Sequence, residues 1–351
     1  MTAPATPPPV NGQPIPSSVR APLRALLRGL VDYAGLFPPA KLAMRPAVEN
    51  YAKYLDSGHH WMLGRFICPV SRLEEFRSEA KGLMPGLDDV VEVAVADETD
   101  ELITGPRRGG TTPADEPFPG WRLSAIIDGD LDENLDAIFA FNHEHSRAEN
   151  GLAMIDAIEL KAASATAIDE ALDLVPDELF PFFELPVAEG ADIRGFLTAL
   201  AGSEAGAKIR TGGVTPEAFP SPRAVAEFIA GCHAADVPFK ATAGLHHPIR
   251  AEHNLTYEPE SPRGVMHGFL NVFLAAAFVR TRKLDVDGAT TLLEERDAAS
   301  IEVTDEGIRW RTHALAPYEI EQTRREFALS YGSCSFEEPV QDLRGLGLLG
   351  S

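Results

Sequence analysis

The chain of 351 residues has little cysteine and no long apolar run, and both shortages exclude classes of protein. Cys68, Cys232 and Cys334 are far apart and form neither a Cys-x-x-Cys pair nor the dense pattern of a disulfide scaffold, which favours a reducing, cytoplasmic location. The most apolar stretch, 265–279, is shorter than the roughly 20 residues that a membrane span needs. We therefore expect a buried helix there and no membrane partner.

Positive charge is also scarce. Lysine and arginine together number 31 against 53 aspartates and glutamates, so the net charge is −22. The field of such a protein repels nucleic acid, and we expect no nucleic-acid partner. Residues 1–18 lack the basic and apolar regions of a secretory signal, and their many prolines predict a disordered leader.

Lysine is rare even among the basic residues, since it supplies only seven of the 31. An ammonium group is costly to bury, and this chain uses arginine for most of its positive charges. A lysine inside an apolar segment therefore indicates a need for an amine that can lose its charge.

Short β-rich runs alternate with amphipathic segments of helical length. The pattern predicts strands at 62–70, 90–96, 122–127, 155–161, 180–187, 207–211 and 239–243. It predicts helices at 19–36, 45–55, 73–83, 133–147, 165–174, 193–201 and 223–235. Strands that alternate with helices form a parallel sheet covered by helices, and the chain length favours a (β/α)8 TIM-type barrel over an open doubly wound sheet.

The alternation continues through one domain. We expect a barrel domain over residues 19–351, with N-terminal helices in 19–60, the barrel in 61–315, and a C-terminal helix and tail in 316–351. The eighth strand is expected from one arm of a hairpin over 301–311. Segments 32–39 and 331–339 mix aromatic, small and acidic residues; they could cover the barrel mouth or a neighbouring protomer of a homo-oligomer, or pack against the outside of the barrel.

Polar and charged residues interrupt the ends of the last four predicted strands, where the active sites of TIM barrels lie. Period-two alternation places them on shared faces. They are Glu159 with Lys161, then Glu184, then Lys208 with Arg210, and finally Lys240 with Thr242. These residues could form a buried ion-pair network that has only a structural role and no catalytic one. A structural network in a lysine-poor chain would more naturally use arginine, however, so the lysines favour a Schiff-base amine.

Two lysines close together would supply the activation that such an amine needs. Burial and a neighbouring ammonium both lower the pKa of a lysine, which frees one amine to attack a carbonyl group. Lys208 precedes Gly212 by four positions and Lys240 precedes Gly244 by four. We therefore predict that both amines point into the barrel at similar depth near its C-terminal end, with Glu184 beside Lys208.

The segment 206–250 contains GAKIRTGG, a helix punctuated by proline, and then PFKATAGLHHPIR. It resembles the sixth and seventh βα units of class I deoxyribose-phosphate aldolases, which carry a K-T-S-T-G strand end followed by a K-x-x-G-G strand end. The resemblance implies that Lys208 holds the Schiff-base position and Lys240 that of the second lysine. It also implies that Gly212, Gly213 and Gly244 let backbone amides approach a phosphate or carboxylate.

Three features depart from the pattern of that family. Ile209 and Arg210 replace small hydroxyl residues, and Leu245-His246-His247-Pro248 replaces the usual continuation. The acidic residue on the fourth strand corresponds to Glu159 or is replaced by Lys161. The resemblance thus implies a carbon–carbon lyase, and from the strand ends we expect Glu184 or Lys161 to move protons.

The residues after the strand ends are expected to bind the substrate. They are Arg210, Thr211, Gly212, Gly213, Thr242, Gly244, His246 and His247. The positive charges of this region contrast with an acidic protein, which favours a small anion as the ligand. No metal or other cofactor is predicted, because no histidine or cysteine pattern has metal-ligand spacing.

Two other functions stay open at this point. One is a metal-dependent hydrolase, isomerase or lyase with ligands such as Glu184, His247 and His267. The other is a ligand-binding or scaffold protein in which the lysines are only structural. Cys334 has no base beside it in sequence and is not predicted as a nucleophile.

Overall fold

A computed structural model describes residues 19–86, 118–187 and 192–350. It contains a closed barrel of eight parallel strands surrounded by helices, which confirms the TIM-type fold. The predicted strand at 90–96 and the predicted leader at 1–18 lie outside the described residues.

The strands, in chain order, are β1 (Val31–Tyr33), β2 (Leu63–Pro69), β3 (Trp121–Ile126), β4 (Ala153–Lys161), β5 (Phe180–Glu184), β6 (Gly206–Arg210), β7 (Phe239–Thr242), β8 (Ala251–Asn254), β9 (Arg263–Met266), β10 (Ile301–Val303), β11 (Ile308–Trp310), β12 (His313–Leu315) and β13 (Ala328–Ser333). The barrel runs from β1 through β7 in order and closes through β13, which lies between β7 and β1.

The helices are α1 (Ala21–Leu27), α2 (Met44–Leu55), α3 (Leu73–Ala80), α4 (Leu131–His145), α5 (Ala165–Leu172), α6 (Arg194–Leu200), α7 (Pro222–Ala235), α8 (Phe269–Arg280), α9 (Val286–Glu294), α10 (Pro317–Glu326) and α11 (Glu337–Gly345). The buried helix predicted over 265–279 is confirmed from Phe269 onward as α8, whose residues 269–279 are all buried, whereas Val265 and Met266 belong to β9. None of the helices within the described ranges is long and apolar enough to cross a bilayer.

The first barrel strand was predicted as the end of a helix, and that prediction is wrong. The helix ends at Leu27, and Gly29 follows with φ +54, a left-handed conformation that favours glycine and breaks the helical path. The next residues, Val31–Tyr33, pair with β2 on one side and β13 on the other. The barrel therefore starts within the segment that was expected to hold only N-terminal helices.

The hairpin over 301–311 does not close the barrel, contrary to the prediction. Strands β10, β11 and β12 form an antiparallel sheet of their own. The closing strand is β13, which comes from the segment 316–351 that was expected to be a helix and tail. The barrel thus extends from Val31 to Ser333 rather than over 61–315.

The register of the strands matters most for the site. Lys208 on β6 lies opposite Lys240 on β7, and Arg210 lies opposite Thr242. Glu184 on β5 lies opposite Lys208. The predicted alignment of the two lysines, with Glu184 beside Lys208, is confirmed.

Candidate active site

The barrel interior holds a chain of charges that alternate in sign. Five strands contribute to it, so the residues converge from distant parts of the sequence. In spatial order the members are Asp32, Lys240, Glu159, Lys208, Glu184 and Arg210. Each carboxylate of the chain touches at least one cation, which offsets the large cost of burying charge.

Glu159 lies at the centre of this chain because each of its oxygens meets a different lysine. Its Oε1 is 2.7 Å from Nζ of Lys240, and its Oε2 is 2.8 Å from Nζ of Lys208. The Ser124 hydroxyl donates a hydrogen bond of 2.9 Å to Oε1. Burial alone would raise the pKa of the Glu159 carboxyl, but the two ammonium groups outweigh burial and hold that pKa below its usual range.

Lys240 is sealed inside the barrel. Its side chain is fully buried, and its Nζ donates hydrogen bonds of 2.7 Å to Oδ2 of Asp32 and to Oε1 of Glu159. Burial lowers the pKa of Lys240, but the two carboxylates raise it by a larger amount, so the net shift is upward. Lys240 therefore stays charged; for this amine the carboxylates, and not the second lysine, decide the direction of the shift.

Asp32 is held in place to receive that ammonium group. The Ser330 hydroxyl donates to its Oδ2 at 2.7 Å, and the Arg65 amide N–H donates to its Oδ1 at 2.9 Å. Sequence reasoning missed Asp32 as a site residue, because Asp32 lies in a segment that was predicted as a helix.

The other end of the chain of charges opens toward solvent. The exposed fraction of the side chain rises from 7% for Lys208 to 16% for Glu184 and 53% for Arg210. Nζ of Lys208 is 2.8 Å from Oε2 of Glu184, whose other oxygen is 3.5 Å from Nε of Arg210. Burial raises the pKa of Glu184, but Lys208 and Arg210 lower it below its usual range. Lys208 is thus the more accessible of the two interior amines.

Lys161, which was predicted to move protons, is exposed at the end of β4. It lies opposite Glu184 in the register of β4 and β5, but no contact joins its amine to the chain of charges within the described residues. Its place is therefore at the rim of the barrel rather than in the interior.

Several of the predicted binding residues hold the segment after β6 against the segment after β7. Thr211 is fully buried, and its hydroxyl donates to the carbonyl oxygens of Thr242 and Ala243. Gly244 has φ +74, and a Cβ atom on it would lie 2.8 Å from Cα of Gly212. A Cβ atom on Gly213 would lie 2.8 Å from the Ala218 side chain, so all three glycines permit close packing.

His246 and His247 lie on the loop after β7 and line a cavity of about 500 Å³. The cavity is lined by segments that follow β1, β7 and β13, including β8, β9 and the start of α11, so it lies at the C-terminal face of the barrel. Its lining within the described residues includes neither interior lysine. Nδ1 of His246 is 2.9 Å from Oε2 of Glu338, and Nδ1 of His247 is 2.6 Å from Oδ2 of Asp342.

A second buried ion pair lies beside the chain of charges and was also missed by sequence reasoning. Arg65 donates to both oxygens of Asp156, at 2.6 and 3.0 Å. The register between β3 and β4 skips Asp156, which lets Asp156 and Glu159 both face inward although they are three positions apart. A strict period-two pattern cannot predict such a shift.

The candidate metal ligands do not come together. Glu184 contacts Lys208, His247 contacts Asp342, and His267 contacts Arg250 and the Pro220 carbonyl oxygen. In the part of the chain that the structure describes, no three histidine, cysteine, aspartate or glutamate side chains are grouped to hold one metal ion.

Comparison with known proteins does not assign this chain to a family. No family model matches the chain, and no curated protein matches it significantly.

Proposed function

We propose that the barrel is an aldolase-type lyase in which Lys208 forms a Schiff base with a small anionic carbonyl substrate. The observation that carries the proposal is the sharing of one buried carboxylate, Glu159, by two lysines at the same register on adjacent strands. The chain has few lysines, and a site made only for ion pairing has no need of a group that can become a neutral amine.

Lys208 rather than Lys240 is the proposed nucleophile. Lys240 is fully buried between two carboxylates that raise its pKa, so it acts as a fixed positive charge. Lys208 lies one step nearer the solvent and is flanked by Glu184, which is partly exposed. A substrate entering from the mouth would therefore meet Lys208 first.

The proposed reaction needs only groups within this cluster and water. Lys208 passes a proton to Glu184, and the neutral amine attacks the carbonyl carbon; the carbonyl oxygen then takes the proton back from Glu184 and leaves as water, so that a protonated imine remains. The carbon–carbon bond breaks as a carboxylate accepts the proton of the substrate's β-hydroxyl group, and the bond's electron pair passes into the imine to give an enamine. An aldehyde departs, the enamine carbon regains a proton, and water hydrolyses the imine to restore Lys208.

Arg210 is proposed to hold the anionic group of the substrate. Its side chain is half-exposed at the mouth, and its contact with Glu184 is long, at 3.5 Å. A guanidinium group binds carboxylates and phosphates through paired hydrogen bonds, so it suits either anion.

Reductive trapping tests the proposal. We expect borohydride in the presence of pyruvate or acetaldehyde to attach the carbonyl compound to Lys208, as located by peptide mass spectrometry. In Lys208→Arg the charge of the ion pairs is kept but no imine can form, so the adduct should disappear. The matched control is Lys283→Arg, because Lys283 is also paired with a glutamate but lies outside the barrel.

Two outcomes would reject the imine mechanism. One is the absence of any adduct on the wild-type chain at Lys208 or Lys240. The other is an adduct yield that is equal in Lys208→Arg and the wild type, since it would reflect non-specific reaction of surface lysines.

The complete pairing of charges also fits a non-catalytic ligand-binding or scaffold protein. Every member of the chain of charges has an oppositely charged partner. For such a protein, Lys208→Met would lower the melting temperature, because Glu159 and Glu184 lose a buried partner, and no carbonyl compound would be trapped on the wild-type chain.

A further inference from the structure

A second cluster of reactive side chains lies at the C-terminal face of the barrel, between the end of β13 and the loop after β7. Its members are Cys334, His246, Glu338 and Tyr257. None of these residues belongs to the chain of charges in the barrel interior. The cluster borders the cavity of about 500 Å³, which His246, Tyr257 and Glu338 line.

The first three members stand in the order of a nucleophile, a base and an orienting carboxylate. Sγ of Cys334 is 4.0 Å from Nε2 of His246, and Nδ1 of His246 is 2.9 Å from Oε2 of Glu338. A carboxylate can only accept, so Nδ1 of His246 carries a proton and Nε2 faces the sulfur. This is the arrangement by which a histidine activates a thiol, and such contacts are often long without a bound substrate.

Burial and hydrogen bonding tune the histidine for that role. His246 is buried, with only 5% of its surface exposed. Burial lowers its pKa, but hydrogen bonds to Cys334 and Glu338 outweigh burial and raise the pKa of His246 to about 10. An imidazole of such basicity is protonated at neutral pH, so the thiol proton of Cys334 can reside on Nε2 of His246 before a substrate arrives.

Tyr257 closes the cluster on the solvent side. Its hydroxyl donates to Oε2 of Glu338 at 3.0 Å and lies 3.7 Å from Sγ of Cys334. Burial and the neighbouring acidic groups raise its pKa, so Tyr257 remains a proton donor at neutral pH. Because its single proton is donated to Glu338, Tyr257 helps to hold that carboxylate beside Nδ1 of His246.

We propose that Cys334, His246 and Glu338 form a second catalytic site, which transfers acyl groups from small polar esters or thioesters to water. The adjoining cavity is lined largely by polar side chains from β8, β9 and their connecting loop, so it fits a small polar acyl group better than a long apolar chain.

The bonds and protons of this reaction balance without any further cofactor. Nε2 of His246 takes the thiol proton, the sulfur of Cys334 bonds to the acyl carbon, and the leaving alcohol or thiol departs with that proton. Water then attacks the acyl carbon while His246 accepts its proton, and the carbon–sulfur bond breaks. The acid is released and the Cys334 thiol is restored.

The other two cysteines provide an internal comparison. Cys68 and Cys232 are fully buried, and burial raises the pKa of both thiols, that of Cys68 to about 12. Cys334 is also buried, with 6% of its surface exposed, but it contacts His246, which lines the cavity, so a thiol reagent should distinguish Cys334 from the other two.

The experiment uses p-nitrophenyl acetate as the acyl probe and the full chain. We expect a burst of one p-nitrophenolate per chain and an acetyl group on Cys334 in peptide mass spectrometry. The burst should be absent in Cys334→Ala and about 100-fold slower in His246→Asn, since general-base catalysis commonly contributes that much. Glu338→Gln should slow it about 10-fold, whereas Glu337→Gln, a matched change at an exposed residue that pairs with Lys53, should leave the rate unchanged.

The wild-type chain provides a test that needs no variant to fold. Iodoacetamide should alkylate Cys334 before Cys68 and Cys232, and the burst should fall in proportion to that alkylation. A burst that persists in Cys334→Ala or after alkylation, an acetyl group found on lysine instead, or no burst at all would overturn the proposal.

Discussion

Replacement of Glu159 by glutamine tests whether the chain of charges stabilises the barrel. The two side chains have nearly the same shape, so the substitution removes a charge and adds no cavity. Glu159 is 2% exposed and is the only carboxylate that the two interior lysines share among the described residues. Its neutralisation leaves Lys208 with Glu184 and Lys240 with Asp32.

The distances give the size of the effect. At an effective dielectric constant of about 20, two unit charges separated by the 2.7 to 2.8 Å seen here attract each other by about 6 kcal/mol. Folding offsets much of that attraction by removing the charges from water, and breaking a buried pair usually costs about 3 to 5 kcal/mol. Glutamine also turns an N–H donor toward one ammonium group. We therefore expect a loss near the upper end, about 4 to 5 kcal/mol.

Urea unfolding followed by circular dichroism measures this loss as a change in the free energy of unfolding. The matched control is Glu178→Gln, which makes the same chemical change at an exposed position and should leave stability unchanged within error. The interpretation of the site as a stabilising network would be refuted if Glu159→Gln lost less than about 1 kcal/mol.

The pH dependence gives a second test of the same residue. The folded chain holds the pKa of Glu159 below its ordinary value of 4.5, so the stabilisation from its ionisation is complete above that pH and is lost as the pH falls further. The stability difference between the wild type and Glu159→Gln should therefore be constant from pH 7 to about 5 and should shrink below 4.5. A difference that stays the same down to pH 3 would contradict this assignment.

Three further substitutions probe the surroundings of the site. Asp156→Asn should lower the free energy of unfolding by about 3 kcal/mol, because it leaves the buried Arg65 without its charged partner; an unchanged urea midpoint would contradict this. Gly244→Ala should cost about 1 to 3 kcal/mol in the same assay, because φ is +74 and the new Cβ would meet the Gly212 backbone. Arg210→Ala should raise about 10-fold the pyruvate concentration needed for borohydride trapping while leaving acetaldehyde trapping unchanged, and equal effects on both would exclude an anion-binding role.

The interior lysines could be predicted from sequence because their evidence is local. Each lies in a short apolar strand and precedes a glycine by the same number of residues, which fixes both the phase and the depth of its side chain. The confirmed register of Lys208 and Lys240 follows from these two facts alone. Glu184 could be placed beside Lys208 because it interrupts the apolar run of the preceding strand.

The partners contributed by the chain ends could not be predicted in this way. Strand β1 has only three residues and follows a helical pattern without a long break, so its Asp32 gave no sign of facing an interior lysine. Asp32 and Lys240 are 208 residues apart, and Cys334 is 88 residues from His246. These pairs exist only because the barrel closes, and no local pattern in a sequence reports closure.

The sequence of the closing strand β13 does contain a pattern, but the pattern can be interpreted only once β13 is known to belong to the barrel. In β13 small residues alternate with large ones, and the large Tyr331 faces outward, where its ring stacks on that of Phe269 at 5.5 Å. The small Ser330 and Gly332 face inward, and a Cβ atom on Gly332 would lie 3.2 Å from Oγ1 of Thr242. Larger side chains on that face would fill the space through which Lys240 reaches across β13 to β1. The small residues of β13 therefore leave room for the ion pair between Lys240 and Asp32.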